Sequence, residues 1–160
     1  MSNTSTTEAL EWALRLILAI ACIIHSILDI TDLCHGAKSH ALTVEDSIPR
    51  WLLPTVGIFR AVAAVALFSE KSYIMFGALA YCSMLWSGAV CFHLRRKHHP
   101  SAVVPASLFV LLVFGITAMQ FDVWVALVGT VACALCAIPL GWVLVTPAKE
   151  ETPAAEETYG

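Results

Sequence analysis

Five long apolar segments dominate this chain and restrict what it can fold into. They run over Trp12–Leu33, Trp51–Phe68, Tyr73–Leu94, Ala102–Met119 and Val123–Val145. Each has 18 to 23 residues, and a helix of about 20 residues crosses a hydrocarbon core about 30 Å thick. The apolar runs are continuous and do not alternate as the strands of a membrane barrel do. The pattern therefore predicts an all-α bundle with five membrane-spanning helices.

Composition excludes other classes of protein. Of the 160 residues, 59% are hydrophobic and 13% are charged, against about 25% charged in soluble domains. A soluble domain of this size cannot bury so much apolar surface. The net charge of -3 gives no basic surface for phosphates, so we expect no nucleic-acid partner.

The boundary between the fourth and fifth apolar segments has the weakest polar signal in the sequence. Residues 102–145 form 44 nearly apolar positions, about 66 Å of helix, which is twice a bilayer. The run must fold back, and Asp122 marks the expected turn. We expect a polar N-terminal segment at 1–11, the bundle at 12–145 and a disordered acidic tail at 146–160.

Lys and Arg residues predict the orientation. In a five-helix arrangement one side carries six of them, and the other side carries Lys71 with Arg15 close by. The six are Lys38, Arg50, Arg95, Arg96, Lys97 and Lys149. The positive-inside rule places the Arg95–His99 loop and the C-terminus in the cytosol. A four-helix arrangement would put the tail on the opposite side.

Arg60 is the residue that fits an apolar segment least well. It is the tenth residue of the second segment, where a lone Arg costs at least about 2.5–3.5 kcal/mol. We expect it to face the bundle interior and pair with Asp29, or with Asp32 one turn further out. His25 lies four residues before Asp29 on the same helix face. These four residues predict an intramembrane polar pocket, which either fixes helix register or lets His25 exchange protons or bind a ligand.

Small residues recur at helical spacing along three segments. They are Gly57, Ala61, Ser83, Ser87, Gly88, Gly129, Cys133, Ala137 and Gly141. Close backbone approach drives helix association in lipid, so these positions predict helix-packing faces. The pattern fits contacts within the bundle, self-association or contact with other membrane subunits.

Cysteine and histidine patterns predict no catalytic or metal site. Cys133 and Cys136 have the spacing of a redox motif, but they lie deep in an apolar helix, where burial disfavours a thiolate. We interpret them, with Cys22, Cys82 and Cys91, as packing residues. The pairs Cys34-His35 and His98-His99 are adjacent in sequence, so their side chains diverge, and no ligand spacing recurs. These motifs leave the cofactor unknown.

Three stretches carry a resemblance to a known family. They are Trp86-Ser87-Gly88-Ala89-Val90-Cys91-Phe92-His93-Leu94-Arg95, Arg15-Leu16-Ile17-Leu18 and Val56-Gly57-Ile58-Phe59. Over roughly residues 10–120 the chain resembles the DoxX-like family of small integral membrane proteins. The resemblance implies a four-helix bundle, with the fifth helix as an addition. Arg60 stands where such proteins more often carry an acidic residue.

Three functions are compatible with this sequence. Some DoxX-like relatives are linked to thiosulfate:quinone oxidoreduction and others to receptor-assembly chaperoning. The favoured hypothesis is a non-enzymatic bundle that acts as an assembly factor or accessory subunit of a larger membrane complex. The alternatives are a quinone- or lipid-linked redox component and an oligomeric small-solute or ion carrier.

Overall fold

A computed structural model describes residues 3–35, 52–95 and 99–144, with side chains throughout except at 3–5, 32–35, 102 and 140–144. The described residues form five helices and no strand. They are α1 (Asn3–His35), α2 (Leu52–Ala66), α3 (Ser72–Arg95), α4 (Pro100–Gln120) and α5 (Val123–Leu144). The predicted all-α bundle is confirmed, and the predicted tail at 146–160 lies outside the described residues.

Three of these helices contain stretches that are long and apolar enough to cross a membrane. They are Thr6–Thr31, Ser72–Arg95 and Val103–Gln120, and the apolar stretches Leu52–Ala66 and Val123–Pro139 are shorter. Helix α1 begins at Asn3, nine residues before the predicted apolar segment. Hydropathy marks only the part of a helix that suits lipid, and the helix itself can continue into water. Five membrane crossings therefore stay a prediction.

Local polar residues set the helix boundaries where the chain turns. The backbone N–H of Trp124 donates to Asp122 Oδ1 at 2.7 Å, an N-cap contact that satisfies a donor at the start of α5. Asp122 thus lies at the turn that the sequence predicts. At the start of α4 the His99 side chain accepts from the backbone N–H of Ser101, and Pro100 occupies the first turn. Proline suits that position because its N–H would be unpaired anyway.

The five helices pack as two groups. Helix α1 packs mainly against α2, while α3, α4 and α5 pack against one another. Fewer contacts join α1 to α4 and α2 to α3. We call the contact surface between the α1–α2 pair and the α3–α4–α5 group the seam. It positions the candidate site.

The apolar residues are divided between a small core and a wide outer surface. Leu18, Leu67 and Ile116 are fully buried. Val65 and Trp124 are 73% and 71% exposed. Exposed apolar surface on this scale is unfavourable in water and suits contact with lipid.

Candidate functional site

An ion pair between α1 and α2 forms the centre of the candidate site. Arg60 Nη1 lies 2.5 Å from Asp29 Oδ2, and both residues are buried. The contact that the sequence predicts is therefore present. The alternative partner, Asp32, lies in α1, but its side chain is outside the described set.

Gly57 explains how the two charges come together. A Cβ built on Gly57 would lie 3.0 Å from Ile30 Cγ1 and 3.1 Å from both Asp29 Cβ and the Ser26 carbonyl oxygen. The Ser26 hydroxyl also donates to the Gly57 carbonyl at 2.7 Å. A missing side chain thus lets the two backbones approach closely. Arg60 lies three residues further along α2, within reach of Asp29.

Trp86 connects this ion pair to the other helix group. Arg60 Cζ lies 5.4 Å from the centroid of the Trp86 ring, a distance at which the ring face attracts the cation. Trp86 stacks on Phe109 of α4 with centroids 4.4 Å apart. His25 meets the Trp86 ring edge-on at 5.1 Å, and its Nδ1 lies 2.8 Å from the Ala21 carbonyl oxygen. Two of the predicted pocket residues, Arg60 and His25, therefore contact an indole on the other side of the seam, which the sequence did not identify as part of the pocket.

Two buried N–H groups in this cluster make no hydrogen bond to the part of the chain that the structure describes. They are Arg60 Nε and Trp86 Nε1. An unpaired buried donor is unfavourable, whereas the contact between the Arg60 cation and the Trp86 ring face is favourable. Both nitrogen atoms are enclosed by protein. In this conformation they offer no open surface to a ligand.

A second buried charge lies nearer the N-terminal end of α1. Arg15 is buried and contacts the Glu11 carboxylate and the Gln120 side-chain oxygen. Its Nη1 also donates to the Leu67 carbonyl at 3.4 Å. Arg15 thereby joins α1 to the ends of α2 and α4. The spacing of Glu11 and Arg15, four residues apart on one helix, was the signal that could have identified this cluster.

Cys22 and Cys82 meet in the bundle interior. Their sulfur atoms are 3.8 Å apart, both residues are fully buried, and both are free thiols. They are 60 residues apart in sequence, and no local pattern relates them. From the sequence, each is therefore interpreted as a separate packing residue.

The predicted helix-packing residues differ in their burial and in the contacts that they make. Ser83, Ser87 and Ala137 are buried. A Cβ on Gly88 would lie 3.9 Å from Ala137 Cβ, and the Cys133 thiol donates to the Ala80 carbonyl at 3.5 Å. These residues lie where α3 contacts α5. Ala61 is half-buried, and Gly141 lies in the part of α5 whose side chains are not described.

Gly129 differs from these positions. A Cβ built on it would meet nothing within 4 Å, and the same is true of Gly77 in α3 and Gly115 in α4. None of the three is needed for a close contact with the residues that the structure describes.

No metal-binding cluster occurs within the described ranges. There is no group of three or more His, Cys, Asp or Glu side chains that could hold an ion. Cys34, His35, His40 and His98 are among the residues whose side chains lie outside those ranges.

Comparison with known protein families gives a match. The model of the DoxX-like family matches residues 13–116, more than half of the chain. The match runs from α1 into α4 and ends before α5. Neither the curated proteins nor the solved structures give a match.

Proposed function

We propose that this chain, which belongs to the DoxX-like family, is a non-enzymatic bundle that joins a larger membrane assembly. Membership of the family makes it a small membrane protein. The assembly-factor or accessory-subunit role is our inference. It rests on a comparison of helical glycines: one packs closely against another helix of this chain, and three have open space around them.

The observation that carries this proposal is the open space at three helical glycines. Gly77 lies five residues after the start of α3, Gly115 five residues before the end of α4, and Gly129 six residues after the start of α5. All three are about 7.5–9 Å along their helices from the same end of the bundle. Glycine costs about 0.8–1 kcal/mol relative to alanine inside a helix. A glycine that no described neighbour requires fits a position where another membrane helix approaches.

Gly57 gives the internal comparison. There the absent side chain is matched by three neighbouring atoms of α1 within 3.1 Å. The chain therefore uses one close-approach position to hold itself together. The open positions on α3, α4 and α5 are available to a partner, either another subunit or a second copy.

The buried charges support a bundle-holding role over a transport role. Arg60 is paired with Asp29, and Arg15 contacts Glu11 and Gln120. A carrier needs intramembrane charges that its solute can reach, whereas Arg60 Nε is enclosed. This arrangement favours the interpretation in which the ion pairs fix helix register.

Orientation is the finer part of the proposal. Helix α5 has 22 residues, about 33 Å, which is enough to cross a bilayer. With five crossings, the Arg95–His99 loop and the C-terminus lie on the cytosolic side.

Replacing Gly129 with leucine tests the proposed association. The full-length protein would be extracted and purified in a mild detergent, and the mass of its complex would be measured by native mass spectrometry. Because no described atom lies within 4 Å of a Cβ at this position, and because leucine favours a helix more than glycine does, Gly129→Leu should leave thermal stability unchanged or raise it. We expect the wild type to form a larger assembly and Gly129→Leu to abolish it.

Val128→Leu is the matched control, since Val128 is 65% exposed on the same helix. It should retain the assembly. A monomeric wild type, or an assembly that survives Gly129→Leu, contradicts the proposal. The mass of the complex separates self-association from binding to a different subunit.

A further inference from the structure

We propose that Cys22 and Cys82 form a reversible disulfide site in the bundle interior, which hydroperoxides of membrane lipids oxidise. The two thiols belong to α1 and α3, on opposite sides of the seam. Their sulfur atoms are already 3.8 Å apart. A disulfide has a sulfur–sulfur bond of about 2.05 Å, so the sulfurs must approach by less than 2 Å.

The seam is the part of the bundle best able to make this adjustment. Contacts across it are fewer than those within either helix group. A thiol also moves when its side chain rotates about the Cα–Cβ bond. Cys133 and Cys136 are also close in sequence, but the Cys133 thiol donates to the backbone carbonyl of Ala80 and not to another thiol.

The position of the pair selects the chemical class of oxidant. Cys22 lies within the apolar stretch Thr6–Thr31, and Cys82 lies near the middle of Ser72–Arg95. Both residues are fully buried. Charged water-soluble disulfides enter such a region poorly. A lipid hydroperoxide is carried there by its own acyl chain, and brief opening of the bundle exposes the thiols to it.

The reaction proceeds in two balanced steps. One thiol sulfur attacks the terminal peroxide oxygen, the O–O bond breaks, and the lipid leaves as an alcohol that takes up the thiol proton. The cysteine that attacked the peroxide is now a sulfenic acid. The second sulfur then attacks the sulfenic sulfur, the S–O bond breaks, and the hydroxyl leaves as water with the second thiol's proton. The hydroperoxide gains the two electrons that the thiols lose, and reduction by a small thiol restores the pair.

Closing this bond would fix the seam at a defined place. On α1, Cys22 lies seven residues after Arg15 and seven before Asp29, two helical turns from each. The bond would join α1 to α3 midway between the two buried charge clusters. It therefore gives the bundle an oxidised state in which its two helix groups are covalently linked.

The test uses the full-length protein in lipid vesicles and cumene hydroperoxide as the probe. After treatment, free thiols are blocked and the protein is digested and analysed by mass spectrometry. We expect a peptide that links Cys22 to Cys82, the loss of two hydrogen atoms from the intact mass, and reversal by dithiothreitol. Hydrogen peroxide should form the cross-link more slowly than cumene hydroperoxide does. Each rate is normalised to the rate at which the same peroxide oxidises a free thiol in the same suspension.

Variants identify the reacting pair. Cys22→Ser and Cys82→Ser should each abolish the cross-link, whereas Cys133→Ser should retain it. The wild-type cross-link map decides the outcome even if a variant fails to fold. If Cys136, which is exposed, is oxidised while Cys22 and Cys82 remain reduced, the proposed site is overturned. Equal normalised rates for the two peroxides would overturn the membrane lipid as the source of oxidant.

Discussion

The Arg60 guanidinium contacts the Asp29 carboxylate across 31 residues of sequence, with Nη1 and Oδ2 2.5 Å apart. The pair joins α1 to α2 at the point where Gly57 lets the two backbones approach. Trp86, from the other helix group, covers the cation. The contact therefore depends on three elements of the fold.

Removing one partner of this ion pair should destabilise the protein. Arg60→Ala leaves a buried carboxylate without its cation, and we expect a loss of about 3–5 kcal/mol in the free energy of unfolding. Asp29→Ala should cause a comparable loss. The double variant should recover much of the loss, because neither charge is then left alone. Denaturant titration of the purified protein in detergent micelles measures all three, and strictly additive losses would contradict coupling.

The steric role of Gly57 predicts an asymmetry between glycines. Gly57→Ala should destabilise the bundle, since its Cβ would lie 3.0–3.1 Å from three atoms of α1. Gly115→Ala is the control, because its Cβ meets nothing within 4 Å. It should be neutral or stabilising by up to about 1 kcal/mol through helix propensity. Thermal unfolding measures the change in stability of each variant. Equal changes would contradict the proposal that Gly57 allows the close approach that forms the ion pair.

Five membrane crossings predict where the tail lies. A C-terminal tag and a tag in the Arg95–His99 loop should be protected or cleaved together when protease is added to one side of sealed membranes. The reason is that α4 and α5 form one hairpin around Asp122. A tail on the opposite side from that loop would mean that only one span follows residue 101.

Cys133 and Cys136 should be dispensable. The Cys133 thiol donates to the Ala80 carbonyl at 3.5 Å, a long hydrogen bond, and Cys136 is exposed. Replacing both with alanine should change the free energy of unfolding by less than about 1.5 kcal/mol and leave the assembly intact. Loss of the assembly by a variant that still folds would show that these thiols do more than pack.

The sequence predicted the helices well because the bilayer imposes a length. The observed α5 begins at the predicted Val123, and α3 differs from its predicted segment by one residue at each end. Helix α1 was the exception at its N-terminal end, since hydropathy does not report on helix that extends into water. The Arg60–Asp29 contact was also predictable, because a lone cation in lipid is unfavourable and a carboxylate lay at the right depth.

Other parts of the site depended on which face each helix turns inward. Trp86, Cys82 and Gln120 meet their partners only after α3 and α4 have taken particular rotations about their axes. Hydropathy carries little information on rotation when a helix is apolar on all sides. Gly57 and Gly129 likewise fit the same small-residue pattern, yet one is in close contact and the other is open.

By itself, the sequence determined that this chain is a membrane protein of apolar helices, where those helices turn, and that Arg60 needs a buried carboxylate. Those features follow from the free energy of transferring side chains and charges between water and lipid, which depends on the residues of each segment separately. Only the tertiary structure decided the seam: the indole over Arg60, the thiol pair and the Arg15 cluster. Those contacts arise from the mutual packing of side chains, which is settled when helices distant in sequence are brought together.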